Sequence, residues 1–334
     1  SVDLDLRGGD WTTWLVKAQA REFGIEDFKV DQTLNLNVNK LQAILPKEML
    51  KKLQLAEIGG SVKIHTAAEG KLDTAYRPLQ ATAKTDIDLS GITARSDSLA
   101  FDVKGASVKG GFSTLFDAAN GVKIPALQLD AAFQSVQALK GLEIGPTSIR
   151  STLSMDKFYS LTGKGDTAPV AYRVALQSGG IRSGEPAAAI AKVSLDGNLR
   201  ADFLPSGDVR NINLKGELVA GKLEGLSRFA VEKIKTVFAV NASDRTLTRT
   251  SVDIKTSVLS PSFKDGDMNI SLKEAALEAN TRQNLRNGNI DIKQIRLTIP
   301  SVMNFEAQGH LENWGKTFSV QSKLDKLSFA ELWK

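Results

Sequence analysis

Alternation with a period of two residues dominates this chain and narrows what it can become. Val62, Ile64 and Thr66 alternate with Lys63 and His65, and Val193, Leu195, Gly197, Leu199, Ala201 and Phe203 make a longer run. Ile212, Leu214, Gly216, Leu218 and Ala220 repeat the pattern, as do Met303, Phe305, Ala307, Gly309 and Leu311. Successive side chains of a strand point to opposite faces, so each run describes a strand with one apolar face. Between the runs stand turn signals. Asn287-Gly288 is the strongest, with Asp265-Gly266, Asn120-Gly121 and Ser206-Gly207 beside it. Many strands joined by short turns predict a mainly β fold. We expect an elongated, strongly curved antiparallel sheet, groove-like or sandwich-like, with a few short flanking helices.

Three segments break the alternation. Asp10 is placed to cap a helix from Trp11, with Trp14, Leu15, Ala18 and Phe23 inward and Gly24 as its stop. Pro46 is placed to open a short helix carrying Met49, Leu50 and Leu53 on one face. Leu226 to Val240 combines Phe229, Ile234, Val237 and Phe238 with Arg228, Lys233 and Lys235. That mixture predicts an amphipathic helix running into a strand and packing over the end of the sheet.

Two short repeats recur. In the first, a Gly stands at an inward position two residues before a Leu: Gly70, Gly197, Gly216 and Gly309. Glycine inside a strand marks sharp twist or the close approach of another backbone, as a strongly curved sheet requires. In the second, two polar residues interrupt the alternation. Ile87, Leu89, Ile92 and Ala94 follow it, as do Ile270, Leu272, Ala275 and Leu277, then Ile290, Ile292, Ile295 and Leu297. Leu36, Val38, Leu41 and Ala43 form another copy, and Ser322, Leu324, Leu327 and Phe329 a weaker one. Such a strand keeps one face inward only through a bulge or a bend. A short helix starting at the shift is the competing explanation for Leu41 onward.

No Pro-rich or charged linker divides the chain. Gly179-Gly180 to Pro186 is the best loop and boundary. This separates an N-terminal β-rich part with short helices, 1–178, from a C-terminal antiparallel meander, 187–334, and one continuous sheet is the alternative. No apolar stretch approaches the roughly 18 residues of a membrane-spanning helix. The opening Ser1-Val2-Asp3-Leu4-Asp5-Leu6 already alternates like a strand and has no leader-like basic start, so it reads as an excised piece beginning within a domain.

The chemistry-bearing residues are sparse. With no Cys there is no disulfide, thiolate nucleophile or Cys-ligated metal. The two histidines, His65 and His310, have no local nucleophile or carboxylate pattern and too few companions for a triad or a His-rich metal site. Carboxylates such as Asp86 and Asp88 fall on the polar phase of strands. Lys109-Gly110-Gly111 and Gly163-Lys164-Gly165 lack the P-loop spacing and read as ordinary turns. A net charge of +5 is a mild excess. Lys51-Lys52 is the adjacent basic pair and reads as a solvated helix face, so nucleic acid is not an expected partner. No catalytic residue, metal or cofactor is predicted.

What remains is the aliphatic phase itself. Val193, Leu195, Leu199, Ile212, Leu214, Leu218, Ile290, Ile292, Met303 and Phe305 are the candidate lining of a lipid groove. A closed sandwich of two sheets is the structural alternative. Three phrases carry a family resemblance: Lys323-Leu324-Asp325-Lys326-Leu327-Ser328-Phe329, Val193-Ser194-Leu195-Asp196-Gly197-Asn198-Leu199 and Leu41-Gln42-Ala43-Ile44-Leu45-Pro46. In these the chain resembles the AsmA-like proteins of Gram-negative envelopes, including TamB-like members. The resemblance implies a periplasmic protein with an elongated β groove that carries phospholipid between membranes, anchored through segments outside this chain. It carries over no catalytic or binding residue. We therefore expect a non-enzymatic handler of phospholipid or another acyl lipid, with envelope proteins as possible further partners. An extracytoplasmic scaffold or secretion component is the first alternative, and a tubular lipid-binding domain, with a long helix in a rolled sheet, the second.

Overall fold

The computed structural model describes residues 2–20, 26–52, 54–138, 141–163, 165–184, 187–226, 228–246, 248–266 and 268–328. In chain order the elements are β1 (Val2–Gly8), β2 (Thr12–Ala20), β3 (Glu26–Asn37), α1 (Val38–Ile44), α2 (Lys47–Lys52), β4 (Glu57–Leu72), β5 (Pro78–Ser96) and β6 (Phe101–Asp117). Next come β7 (Gly121–Phe133), β8 (Ser135–Ala138), β9 (Leu142–Ile144), β10 (Thr147–Met155), β11 (Ala168–Gly184), β12 (Ala187–Phe203), β13 (Val209–Ala220), β14 (Leu223–Leu226) and β15 (Phe229–Val231). The chain ends with β16 (Lys233–Asp244), β17 (Thr250–Leu259), β18 (Ser262–Asp265), β19 (Met268–Ser271), β20 (Glu274–Asn284), β21 (Asn289–Ile299), β22 (Met303–Glu312) and β23 (Thr317–Leu327). The fold is mainly β and antiparallel, as the alternation predicts.

The chain divides into two compact units: Ser1–Tyr172 with Phe203–Gly207, and Arg173–Asp202 with Asp208–Lys334. In the first, β1 to β7 pair in sequence order and β10 pairs with β7. One register row runs Leu6, Trp14, Leu34, Ile64, Ile87, Gly110 and Leu129 from β1 to β7. In the second unit, β13 pairs with β16, and then β17, β20, β21, β22 and β23 follow in turn.

The four turn dipeptides all lie between strands. Gly121, Gly207, Gly266 and Gly288 have φ of 104°, 83°, 56° and 71°, the region that glycine enters without a Cβ penalty. The polar double steps at Ser90-Gly91 and Lys293-Gln294 are register shifts in β5 and β21, as a bulge requires. The copy at Leu36 to Ala43 instead runs into helix α1. Asn37 caps it by accepting a hydrogen bond from the Lys40 amide at 3.1 Å. The copy at Ile270 straddles the break between β19 and β20. Phe329 of the weaker copy lies outside the described residues, as do Leu53, Phe23, Gly24 and Lys164.

Four expectations are corrected. Residues 12–20 form strand β2 rather than a helix from Trp11, because both edges of that segment are paired, to β1 and to β3. Thr12, Thr13 and Val16 are β-branched, and two neighbouring strands outweigh one capping residue. The expected helix over Leu226 to Val240 is likewise replaced by strands, β15 and β16, among the described residues. Ile234, Thr236, Phe238, Val240 and Ala242 share one face of β16, which β13 and β17 flank. The segment 179–184 is strand rather than loop, since β11 continues to Gly184, and Glu185 and Pro186 lie outside the described residues. Lys109-Gly110-Gly111 is no turn but lies inside β6. Pro46 does open a helix, with its carbonyl accepting from the Met49 amide at 2.9 Å.

Candidate functional site

The second unit gathers its apolar phase onto one face. Residues paired across an antiparallel ladder share a side, so the register fixes which side chains are neighbours. One row runs Leu214, Val240, Val252, Thr281, Ile292, Gly309 and Val320 from β13 to β23. A second runs Leu218, Thr236, Thr256, Leu277, Leu297, Phe305 and Leu324 through the same strands. A third joins Ile212 to Ala242, Thr250, Gln283, Ile290, Leu311 and Phe318. Met303 pairs with Ile299 and Leu327 on the same side. None of these residues is charged. Thr236 and Thr256 bond each other through their hydroxyls at 3.0 Å, which removes their demand for water. By strand spacing the rows cross about 29 Å of sheet.

Ile212, Leu214, Leu218, Ile290, Ile292, Met303 and Phe305 therefore lie on one apolar side. Val193, Leu195 and Leu199 belong to β12. A Cβ on Gly216 would meet the Asp196 carbonyl oxygen at 2.8 Å, and one on Gly197 the Lys215 carbonyl oxygen at 3.9 Å. These approaches set the two glycines opposite each other, and at that register Leu195 faces Leu218 and Leu199 faces Leu214. A Cβ on Gly216 would also meet the Phe238 ring at 2.5 Å. That position is glycine because the ring of the neighbouring strand lies across it.

This face is partly exposed: Leu218, Leu277 and Leu324 are 37%, 39% and 50% exposed, and the other candidates are half-buried. Among the described residues the buried hydrophobics are six: Met155, Ala168, Ala201, Val231, Ala242 and Val302.

The opposite face is polar and holds what sequence reading missed. At one end of the second unit a cavity of about 820 Å³ is walled by Asn213, Asn241, Ser251, Arg282, Asp291 and His310, which stand in one register row. Asn213 donates to Asn241, Asn241 donates to Ser251 at 3.5 Å, and Asp291 meets His310 Nδ1 at 2.5 Å. Arg249, Asn284 and Asn289 add to the wall, and Ile212, Ala242, Thr250 and Gln283 of the third apolar row also border the cavity. Near its rim the Thr246 hydroxyl donates to Asp244 and holds that carboxyl below its ordinary value. The residues are far apart in sequence and carry no motif; register alone brings them together.

Each histidine also finds carboxylates on neighbouring strands. His65 lies 3.2 Å from Asp31 and 4.0 Å from Asp86, while His310 Nε2 lies 3.4 Å from Glu312. Among the described residues no hydroxyl is bonded to either imidazole, so none of them forms a nucleophile–base pair with it. Among the described residues no group of His, Asp and Glu is arranged to hold a metal ion. No helix among them is long and apolar enough to cross a membrane. Comparison with protein-family models, with curated proteins and with solved structures finds no match to this chain.

Proposed function

We propose that this chain is a non-enzymatic lipid-handling protein of the bacterial envelope, related to the AsmA-like proteins and working in the periplasm. Acyl chains of phospholipid lie on the apolar face of the second unit, on their way between membranes. One observation carries the reading: three uncharged register rows cross seven strands, and along them only Ala242 and Thr250 are buried. Apolar surface of that extent, left uncovered, marks a binding surface in soluble proteins. Each methylene removed from water contributes about 0.8 kcal/mol, and about half of that where one side stays wet. Many weak contacts along a row hold a chain without fixing it, which suits passage. The test is to purify the protein without detergent, extract it and measure bound lipid by mass spectrometry. Phospholipid in stoichiometric amount supports the reading, and a lipid-free protein that also takes none from vesicles overturns it.

A second reading rests on β23. Phe318, Val320, Leu324 and Leu327 are 71%, 49%, 50% and 45% exposed, and among the described residues β22 is the one strand registered against it. An edge strand of this kind suits strand addition by a protein partner, which is the scaffold alternative.

A further inference from the structure

We propose that the polar cavity of the second unit binds a phosphate-type oxyanion, on the face opposite the apolar rows. The inference does not depend on the lipid reading, because it rests on the donors of the polar row and not on the apolar rows.

The cavity offers donors and few acceptors. The Asn284 side-chain oxygen accepts from the Arg286 amide at 3.1 Å, and the Asn289 oxygen accepts from the Asn313 amide at 3.3 Å. Backbone amides only donate, so both side chains are oriented with their NH₂ groups left over. Ser251 accepts from Asn241 at 3.5 Å, which leaves its hydroxyl proton to give. The carboxylate of the wall, Asp291, is engaged by His310. Arg282 is the register partner of Asp291, yet it forms no ion pair or hydrogen bond among the described residues, and neither does the Arg249 side chain. Other strand arginines do find carboxylates: Arg150 with Asp130 at 2.6 Å, Arg173 with Asp196 at 2.8 Å, Arg296 with Glu306 at 2.6 Å.

Register brings the two unmatched cations together. Ser251 stands opposite Arg282, and Arg249 lies two residues before Ser251, on the same side. The Ser243 amide donates to the Arg249 carbonyl at 3.2 Å, so the ladder still holds that residue in line. Diagonal neighbours of this kind lie about 7–8 Å apart at Cα, within reach of one ligand for two long side chains. Two guanidinium forks with amide and hydroxyl donors beside them match the several acceptor oxygens of phosphate, and Arg recognises such groups bidentately. Without an anion the two like charges repel at close range.

The test is calorimetric titration of the full chain with inorganic phosphate at low salt, beside sedimentation with phosphatidylglycerol–phosphatidylcholine vesicles and with pure phosphatidylcholine vesicles. Saturable one-to-one phosphate binding below about 1 mM, weakened about tenfold or more in R249Q/R282Q, supports the site with free phosphate or a soluble phosphoryl compound as ligand. Sedimentation with the anionic vesicles alone, lost in R249Q/R282Q, supports the same site with a lipid headgroup. The turn variant R286Q should retain either behaviour, which separates the cavity from net charge. Arg282→Lys should keep weaker binding, and Asn284→Asp, which puts a carboxylate in the wall, should abolish it. Circular dichroism checks that each variant folds. No saturable binding in any arm, or binding unchanged in R249Q/R282Q and Asn284→Asp, overturns the proposal.

Discussion

The polar faces of the two units are built from the same alternation but settle their charges differently. In the first unit the charges interlock from strand to strand. His65 stands between Asp31 and Asp86, Lys84 meets Asp86 at 3.5 Å, Lys29 meets Glu69 at 3.3 Å and Lys109 meets Asp88 at 3.6 Å. The middle of the second unit follows suit, with Lys235 at 2.9 Å from Glu217 and Lys255 at 3.2 Å from Glu278. At the end of its strands that matching stops, and Arg249 and Arg282 face a cavity instead. Exposed pairs of this sort contribute little stability each. Their regularity therefore says more about solubility and register than about energy. What sets Arg249 and Arg282 apart is that both border one cavity, where a single ligand can meet both guanidinium groups.

The apolar faces supply the comparison with the largest expected effect. Leu214 of the second unit and Ile64 of the first occupy equivalent places in apolar register rows. If lipid lies on the second unit, Leu214→Asp or Ile292→Asp should lower bound lipid about tenfold or more while circular dichroism stays β-rich. A charge can reach water on an open face, so the sheet survives, but an acyl chain cannot cover it without a cost of several kcal/mol. Lys215→Asp, one residue away on the other side, should leave lipid within about twofold, because strand neighbours point to opposite faces. Ile64→Asp asks whether the first unit shares the load. Equal loss at Ile64 and Leu214 merges the two faces into one path, whereas loss at Leu214 alone confines binding to the second unit. Unfolding by Leu214→Asp would instead indicate a sealed core and sink the open-face reading.

Much of this architecture was legible in the residues, and the failures share a cause. Alternation and turn dipeptides are local signals, so the strands, the glycine turns and the bulge at Lys293-Gln294 could be read directly. The apolar candidates on β13, β21 and β22 followed because period two assigns a side to every residue. The helices expected from Trp11 and over Leu226 to Val240 fail because both segments also satisfy a helical pattern, and only strands distant in sequence decide between the two. The polar cavity was invisible for a stronger reason. Asn213, Asn241, Ser251, Arg282, Asp291 and His310 are meaningful only as a row, and a row exists only once pairing is known.

A second comparison sets a clash against backbone strain. In the second unit, Gly216→Val drives a side chain into the Phe238 ring and the Asp196 carbonyl, at 2.5 and 2.8 Å from its Cβ. Overpacking of this kind costs about 1–3 kcal/mol. In the first unit, Gly91 has φ of +61° and open space where a Cβ would stand. Gly91→Ala then carries only the left-handed backbone penalty, about 1–2 kcal/mol. Chemical denaturation should place Gly216→Val as the more destabilised variant. The reverse order would mean that the β13–β16 approach relaxes easily and that the bulge in β5 is the more constrained site.

The smallest effect expected is an acid asymmetry between the units. In the first unit five carboxyls are held below the ordinary value of 3.8. Asp5 is held by a hydrogen bond from Arg7, Asp73 by the Arg77 amide, Asp88 by the Ser90 hydroxyl, Asp117 by the Gln80 side chain and Asp130 by the Arg150 guanidinium. In the second unit Asp244 alone is so held among the described residues, by the Thr246 hydroxyl. A carboxyl lowered by folding binds its proton more readily in the unfolded chain. Its contribution is therefore complete above 3.8 and fades as pH falls below that value through the lowered one. All six groups lie at the surface and reach solvent, so each contribution is small and screened by salt. Acidification from pH 5 to pH 3 should accordingly loosen the first unit before the second. Hydrogen exchange read by mass spectrometry should show amides near Asp73 and Asp117 losing protection earlier than those of β20 to β22. Asp117→Asn should shrink that difference, since the Gln80 and Asn120 contacts then no longer depend on pH. Simultaneous loss in both units would show that these turn carboxyls do not set the acid response, and that protonation acts on the sheet as a whole.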